Sequence, residues 1–192
     1  MGQITPLDEE RWTRAAQRGD AEAFDRLVEV HESMAYHVAY RILEDPHDAA
    51  DATQEAFLSA YRAIGSLRGP FKPWLARIVV NASYDLLRRG HGARTTSLEL
   101  VVEEIGEPDF MSDHTADPEG AALSQELRAA IEGALAQLPD DQRLAITLVD
   151  VHGLAYDEAA QAMACPLGTV RSRLARGRDR IRQLLVSAGS LT

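Results

Sequence analysis

Thr169, Arg171, Ser172, Arg173, Arg176 and Arg178 gather within ten residues near the C-terminus, with Arg180 and Arg182 behind them. On a helix they form a polar face suited to nucleic acid. The arginine fork matches the O6/N7 pair of guanine, serine and threonine hydroxyls serve phosphate or base, and the remaining guanidinium groups neutralise phosphates. A solvated arginine face is the alternative. The context favours DNA: a short helical segment with Ala159, Ala160 and Met163 comes first, followed by the tight turn Ala164-Cys165-Pro166. The basic stretch then carries Leu167, Val170, Leu174, Ile181 and Leu185 on its other side. This is a helix-turn-helix pattern, in which the second helix enters the major groove.

A second constellation lies in the first half. Between Phe71 and Arg89, Leu75, Val79, Ala82 and Leu86 recur at helical spacing, which leaves Trp74, Arg77, Asn81, Tyr84 and Arg88 as a separate stripe. That stripe suits an unpaired strand: aromatic faces stack on bases, an amide reads an exposed base edge, and arginine tracks the backbone. Taken singly, Trp74 and Tyr84 are equally consistent with core positions. The preceding segment is expected to bury Ala56, Phe57, Ala60, Tyr61 and Ile64, and it presents Asp48, Asp51, Glu55, Ser59 and Arg62 elsewhere. An acidic stripe repels DNA, so it is either a wet surface or a protein-docking face, and periodicity does not choose between them.

No catalytic set stands out. The chain has no glycine-rich phosphate loop, no G-x-S-x-G and no distinctive carboxylate pair, so it is not expected to be an enzyme. His31 and His37 are spaced i, i+6 instead of the i, i+4 that a helical zinc site needs, and no metal or cofactor is expected. Asn81-Ala82-Ser83 matches a glycosylation sequon by chance. A single cysteine, Cys165, cannot form an intramolecular disulfide or a multi-thiolate zinc site. Met1 to Glu10 does not read as a secretory signal, and no apolar window is long enough to span a bilayer, so a cytoplasmic location without membrane insertion is expected.

The elements that must hold these faces are helical. The chain has 192 residues, 45% apolar and 26% charged, enough for modest cores, and apolar positions follow the 3.6-residue period with few strand signals. Thr5-Pro6 with Asp8 opens a first helix that Gly19 closes, Asp20 caps a second to about Leu43, and Asp45-Pro46 with Asp48 starts a third ending near Gly65. A fourth runs from about Phe71 to Arg89 before Gly90. Residues 91–117 hold seven carboxylates and no sustained apolar stripe, the mark of an extended linker. After Asp117-Pro118, helices are expected to break at Pro139, Gly153 and Ala164-Cys165-Pro166. The result is an all-α protein of two small helical domains, 1–94 and 118–192, joined by an acidic flexible linker at 95–117.

The formal net charge of −10 taken alone argues against a nucleic-acid partner, but it is unevenly spread. Residues 1–61 carry −8, 62–94 carry +6, 95–126 carry −9, 127–164 carry −4 and 165–192 carry +5. Both nucleic-acid candidates fall in the two basic segments.

Leu138-Pro139 with Arg143, Gly153 to Ala160 (GLAYDEAA) and Pro166 to Arg178 (PLGTVRSRLARGR) resemble the fourth region of the extracytoplasmic-function group of bacterial RNA polymerase sigma factors. Asp51 to Leu58 (DATQEAFL) and Phe71 to Ile78 (FKPWLARI) with Asn81 are similar to that group's second region. The resemblance implies a subunit that binds core RNA polymerase, reads promoter DNA both as duplex and as single strand, and is held in check by an anti-sigma factor. By position, Asp51, Gln54 and Glu55, with Asp48 on the same face, would meet the β′ clamp helices. Trp74, Arg77, Asn81, Tyr84 and Arg88 would hold the melted minus-ten element, with Asn81 and its loop neighbours around a flipped base. Thr169, Arg171, Ser172 and Arg176, flanked by Arg173 and Arg178, would contact the minus-thirty-five element, in a domain that also binds the β flap. The acidic linker would lie in the channel that later takes RNA. Three residues depart from the pattern: Ala164 replaces a turn glycine, and Ala52 and Ala159 replace larger aliphatics. A stand-alone helix-turn-helix regulator, dimeric on a palindrome, is the rival reading.

Overall fold

The computed structural model describes residues 5–93 and 118–187, and among these every regular element is helical. Capping chemistry sets the boundaries. Helix α1 (Pro6–Ala16) starts at Thr5, whose hydroxyl accepts from the Asp8 N–H at 3.3 Å while the Asp8 carboxylate accepts from the Thr5 N–H at 3.2 Å. Gly19, at φ +93°, turns the chain into α2 (Ala21–Leu43), and Asp20 accepts from the Ala23 N–H at 3.1 Å. Asp45 accepts from the N–H groups of His47 and Asp48, both at 2.9 Å, and Pro46 fills the first turn of α3 (Pro46–Ala63). A short 3₁₀ turn, Ile64–Ser66, follows, and α4 spans Phe71–Ala93.

Helix α4 thus passes the expected stop at Gly90. A glycine inside a helix costs only about 1 kcal/mol and no proline follows to break the run, so the helix absorbs the start of the segment read as linker. The rest of that segment, 94–117, with Asp117, lies outside the described residues.

Helices α2, α3 and α4 enclose the first core. Ala35, Val38 and Ala39 meet Ala49, Ala52, Ala56 and Ala60, with Leu75 and Val79 closing the third side, all buried. Alanines at intervals of three and four keep α3 close to its neighbours. Phe24, Phe71 and Tyr61 fill one end, with Phe24 edge-on to Tyr61 at a centroid distance of 5.0 Å.

The second core is built by α5 (Pro118–Ala136), α6 (Asp140–Ile146), α7 (Tyr156–Ala162) and α8 (Leu167–Ser187). Leu135, Leu144, Leu148, Leu154, Ala159, Val170 and Leu174 are buried in it. After α6 the chain widens into one π turn, Thr147–Val151, and Gly153 at φ +69° redirects it into α7. Gly177 is where α8 crosses α6: a β-carbon there would stand 3.1 Å from the Ile146 side chain. Ala164, at φ +48°, turns α7 into α8 in the left-handed region without glycine's freedom.

The two halves also pack on each other. The Arg143 Nε donates to the Arg41 carbonyl at 3.0 Å, and its guanidinium pairs with Glu44 at 2.6 Å and Asp140 at 3.1 Å. Arg41 in turn pairs with Glu132 of α5. The His152 ring, just past the π turn, stacks on His37 of α2 with centroids 5.7 Å apart and planes 24° apart.

Candidate nucleic-acid and protein interfaces

The α4 stripe exists as a face, but its members differ. Arg77, Asn81 and Arg88 are exposed, and Trp74 and Tyr84 are half-buried. Trp74 packs on Phe71 at 5.8 Å, which leaves part of the indole available, so it serves the core and the surface together. Arg88 is tied to Asp85 one turn back. Tyr84 lies against the second half: burial raises its phenol above the usual tyrosine value, and Asp140, Arg173, Asp141 and Arg143 all bear on it. Behind the stripe, Leu75 and Val79 are buried as expected, whereas Ala82 and Leu86 are only half-buried. The Ser83 hydroxyl donates to the Val79 carbonyl at 2.8 Å, which removes it from the surface chemistry.

The arginine face of α8 divides in two. Arg171 and Arg176 are exposed. Arg173 donates from Nε to Asp141 at 2.9 Å and from Nη1 to the Cys165 sulfur at 3.3 Å. Arg178 grips Asp150 with two donors, at 2.9 and 2.5 Å, and reaches the Tyr156 hydroxyl at 3.3 Å. Those bonds raise the pKa of Arg178 further, so its charge is permanent and already oriented. Thr169 and Ser172 are half-buried at the start of α8, where the Ser172 hydroxyl donates to the Thr169 carbonyl at 2.9 Å. Leu167, expected to be buried, is 37% exposed, because it is the first residue past the turn and overhangs the core.

On α3, Asp51, Gln54 and Glu55 are exposed and Asp48 half so. Two apolar residues stand out with them: Leu58 is 44% and Tyr61 50% exposed, although the helical spacing of Tyr61 predicts a core position. The Tyr61 ring caps Phe24 edge-on and keeps one side open. The exposed face of α3 therefore combines carboxylates with an aliphatic and an aromatic side chain. Leu58 was legible in the sequence from its i+3 and i+4 spacing to Glu55 and Gln54.

A cleft opens between α1 and the start of α4, lined by Glu9, Thr13, His31, Met34, Arg68 and Lys72 among others. Glu9 and the buried His31 approach to 3.2 Å, and this contact, partly offset by burial, holds the Glu9 carboxyl below its usual value. His31 faces α1 while His37 faces the second half, so the two histidines point to different neighbours and form no metal pair. Among the described residues no cluster of His, Cys, Asp and Glu could hold a metal ion, and no helix is long and apolar enough to cross a membrane.

Comparison with known proteins places both halves. Residues 27–92 match the family model for sigma-70 region 2 and residues 128–181 the model for sigma-70 region 4. The chain is 37% identical over 185 residues to the RNA polymerase sigma-H factor of Pseudomonas aeruginosa, covering 95% of this chain and 96% of that protein. It is 38% identical over 168 residues to the ECF RNA polymerase sigma-E factor of Escherichia coli K12, covering 86% and 87%. The fold is similar to that of CnrH, solved in complex with the cytosolic domain of CnrY, at a TM-score of 0.63 and 24% identity, covering 94% of this chain and 98% of that one. The sigma factor RpoE of Bartonella quintana, solved with the anti-sigma factor NepR, matches at a TM-score of 0.61 and 24% identity, covering 84% and 96%.

Proposed function

The chain belongs to the extracytoplasmic-function group of the sigma-70 family, and on that premise we propose how its surfaces divide the work of starting transcription. Family membership overturns the stand-alone regulator considered from the sequence. The coarse function is therefore that of a sigma factor.

Residues 1–94 act as the strand-capturing domain and 118–192 as the duplex-reading domain, with the acidic 95–117 between them. On α3, Asp51, Gln54 and Glu55, supported by Leu58 and Tyr61, dock on the clamp helices of core RNA polymerase, while Asp48 marks the edge of that face. On α4, Arg77 follows the melted strand, Asn81 reads a base edge, and Trp74 and Tyr84 offer stacking faces. Stacking contributes about 1–3 kcal/mol per captured base, which offsets the cost of unstacking the duplex. On α8, Arg171 and Arg176 read the upstream element. Arg173 and Arg178 brace the helix against Asp141 and Asp150, and Thr169 and Ser172 lie toward phosphate. The domain carrying α8 also docks on the β flap, and an anti-sigma factor blocks these faces when transcription is not required.

One observation carries this reading: a cationic helix face exists in each half, while the exposed face of α3 is acidic and apolar. The net charge of −10 weakens binding to DNA by the free protein, so that polymerase must present both cationic faces together. Pull-down with purified core polymerase, followed by run-off transcription on a promoter library, tests the assignment. Core binding with a defined start site is expected. Tight dimeric binding to a palindrome without polymerase would overturn it.

A further inference from the structure

Helix α2 carries a stripe that the promoter-reading role leaves unused. His37, Arg41 and Glu44 follow each other at intervals of four and three and face the second domain. Resting on the sigma-factor reading above, we propose that this stripe and its counterpart on α6 and the π turn form a proton-sensitive latch. It holds the two domains in a closed state that cannot grasp both promoter elements at once.

The closed state brings together faces that must separate. Tyr84 of the strand-capturing stripe and Arg173 of the duplex-reading helix lie within electrostatic reach of each other. The two promoter elements are about 25 base pairs apart, on the order of 85 Å along B-form DNA at roughly 3.4 Å per step. Faces that share an interface cannot occupy both. Residues 94–117, fully extended, can reach on the order of 80 Å, so the covalent connection permits opening.

The latch is built from charged groups with assigned partners. Arg41 and Arg143 are 7% and 4% exposed, and a guanidinium buried that deeply needs its partners; here Glu132, Glu44, Asp140 and the Arg41 carbonyl serve. Glu44 adopts φ +56°, a left-handed conformation that favours glycine, and yet the position holds the carboxylate that reaches Arg143.

Beside these ion pairs sits the stacked imidazole pair. The His152 Nε2 is buried without a hydrogen-bond partner, and the Tyr36 ring lies edge-on to His37 at 6.5 Å. Two cations, Arg41 and Lys72, bear on the imidazoles. Burial and then Arg41 push His37 down to about 4, and burial followed by His37, Lys72 and Arg41 pushes His152 down to about 4. The nearby carboxylates Glu44, Asp140 and Glu132 are engaged by Arg143 and Arg41. Once the domains part, each ring returns toward the ordinary histidine value near 6.5. The open state therefore binds more protons between about pH 6.5 and 4. The latch is at full strength above about 6.5 and weakens as the pH falls toward 4. At pH 5.5 one histidine shifts the balance toward opening about tenfold.

Small-angle X-ray scattering of the full chain without polymerase, at pH 7.5 and 5.5, tests the proposal, with far-UV circular dichroism verifying helix content. The wild type should expand at pH 5.5, with an open-to-closed ratio at least tenfold higher. The H37F/H152F double variant keeps two stacked rings that take up no proton, and its radius should be the same at both values. If that variant misfolds, His152→Gln at its half-buried site should lose a measurable part of the response. Arg143→Met removes the pairs to Glu44 and Asp140 and should be expanded at both values. A wild-type radius that is the same at the two pH values and no smaller than that of Arg143→Met overturns the latch, as does an unaltered response in H37F/H152F. The scattering needs no polymerase, so acid opening in a protein that fails to direct run-off transcription upholds the latch and overturns the sigma reading. A fixed radius with normal transcription overturns the latch alone.

Discussion

The polar faces of α4 and α8 look alike in sequence, each a stripe of arginines and small polar or aromatic residues opposite an apolar row, yet the fold uses them differently. On α4 the cations are free of the core while the aromatics are anchored in it: Arg77 and Arg88 are exposed, and Trp74 rests on Phe71. On α8 the cations themselves are divided: Arg171 and Arg176 are exposed, Arg173 is half-buried against Asp141, and Arg178, although exposed, is bound to Asp150. The lesson is that arginines of one helix face do not all keep their donors for a partner. A guanidinium already paired to a carboxylate spends donors within its own domain, and it ties α8 to the elements beneath it.

The exposed arginines of α8 give the strongest test of this division. Replacing Arg171 and Arg176 together with alanine should weaken upstream-element binding by about 100-fold, taking roughly 1–3 kcal/mol for each specific contact. Core-polymerase binding should be unchanged in a pull-down, and a loss there would reassign α8. Next in size is the helix crossing beneath that face. Gly177→Val drives atoms into the Ile146 side chain, from which even the first added carbon would stand only 3.1 Å away, and should destabilise the second domain by about 1–3 kcal/mol in urea unfolding. On α4, Asn81→Ala should lower open-complex formation about tenfold in permanganate footprinting while closed-complex affinity changes little. Equal losses in both would remove the base-capture role.

Two smaller effects refine the same contrast. Ala164→Gly relieves a φ of +48° and should raise stability by up to about 1 kcal/mol, less the greater entropy that glycine gives the unfolded chain. Arg173→Ala removes a partly exposed ion pair to Asp141 and should cost at most about 1 kcal/mol of thermal stability. Its effect on DNA affinity should be clearly smaller than that of Arg171→Ala, and an equal effect would return Arg173 to the reading surface.

Much of the molecule is legible along the chain. Thr5, Asp20 and Asp45 announce helix starts and Gly19 and Gly153 the turns, because each acts through its own backbone or a neighbour three residues away. The α4 stripe and the exposed part of the α8 face follow from periodicity alone. Gly90 misleads because a glycine permits a helix to end without compelling it. Tyr61 misleads because its spacing matches the buried row, while its ring lies at the rim of the core and covers only the edge of Phe24.

The remaining features depend on contacts between residues far apart in the chain. Sequence by itself determined the helical class, the places where helices begin, the placing of positive charge on two helices, and the motifs that set the chain among sigma factors. Only the tertiary structure decided that His37 and Arg41 of α2 meet His152 and Glu132, that Arg173 and Arg178 are tied down, and that Leu58 and Tyr61 stay open. The physical reason is one of range. Capping and periodicity act over three or four residues and can be read along the chain, whereas which helix covers which face depends on contacts between side chains far apart in it.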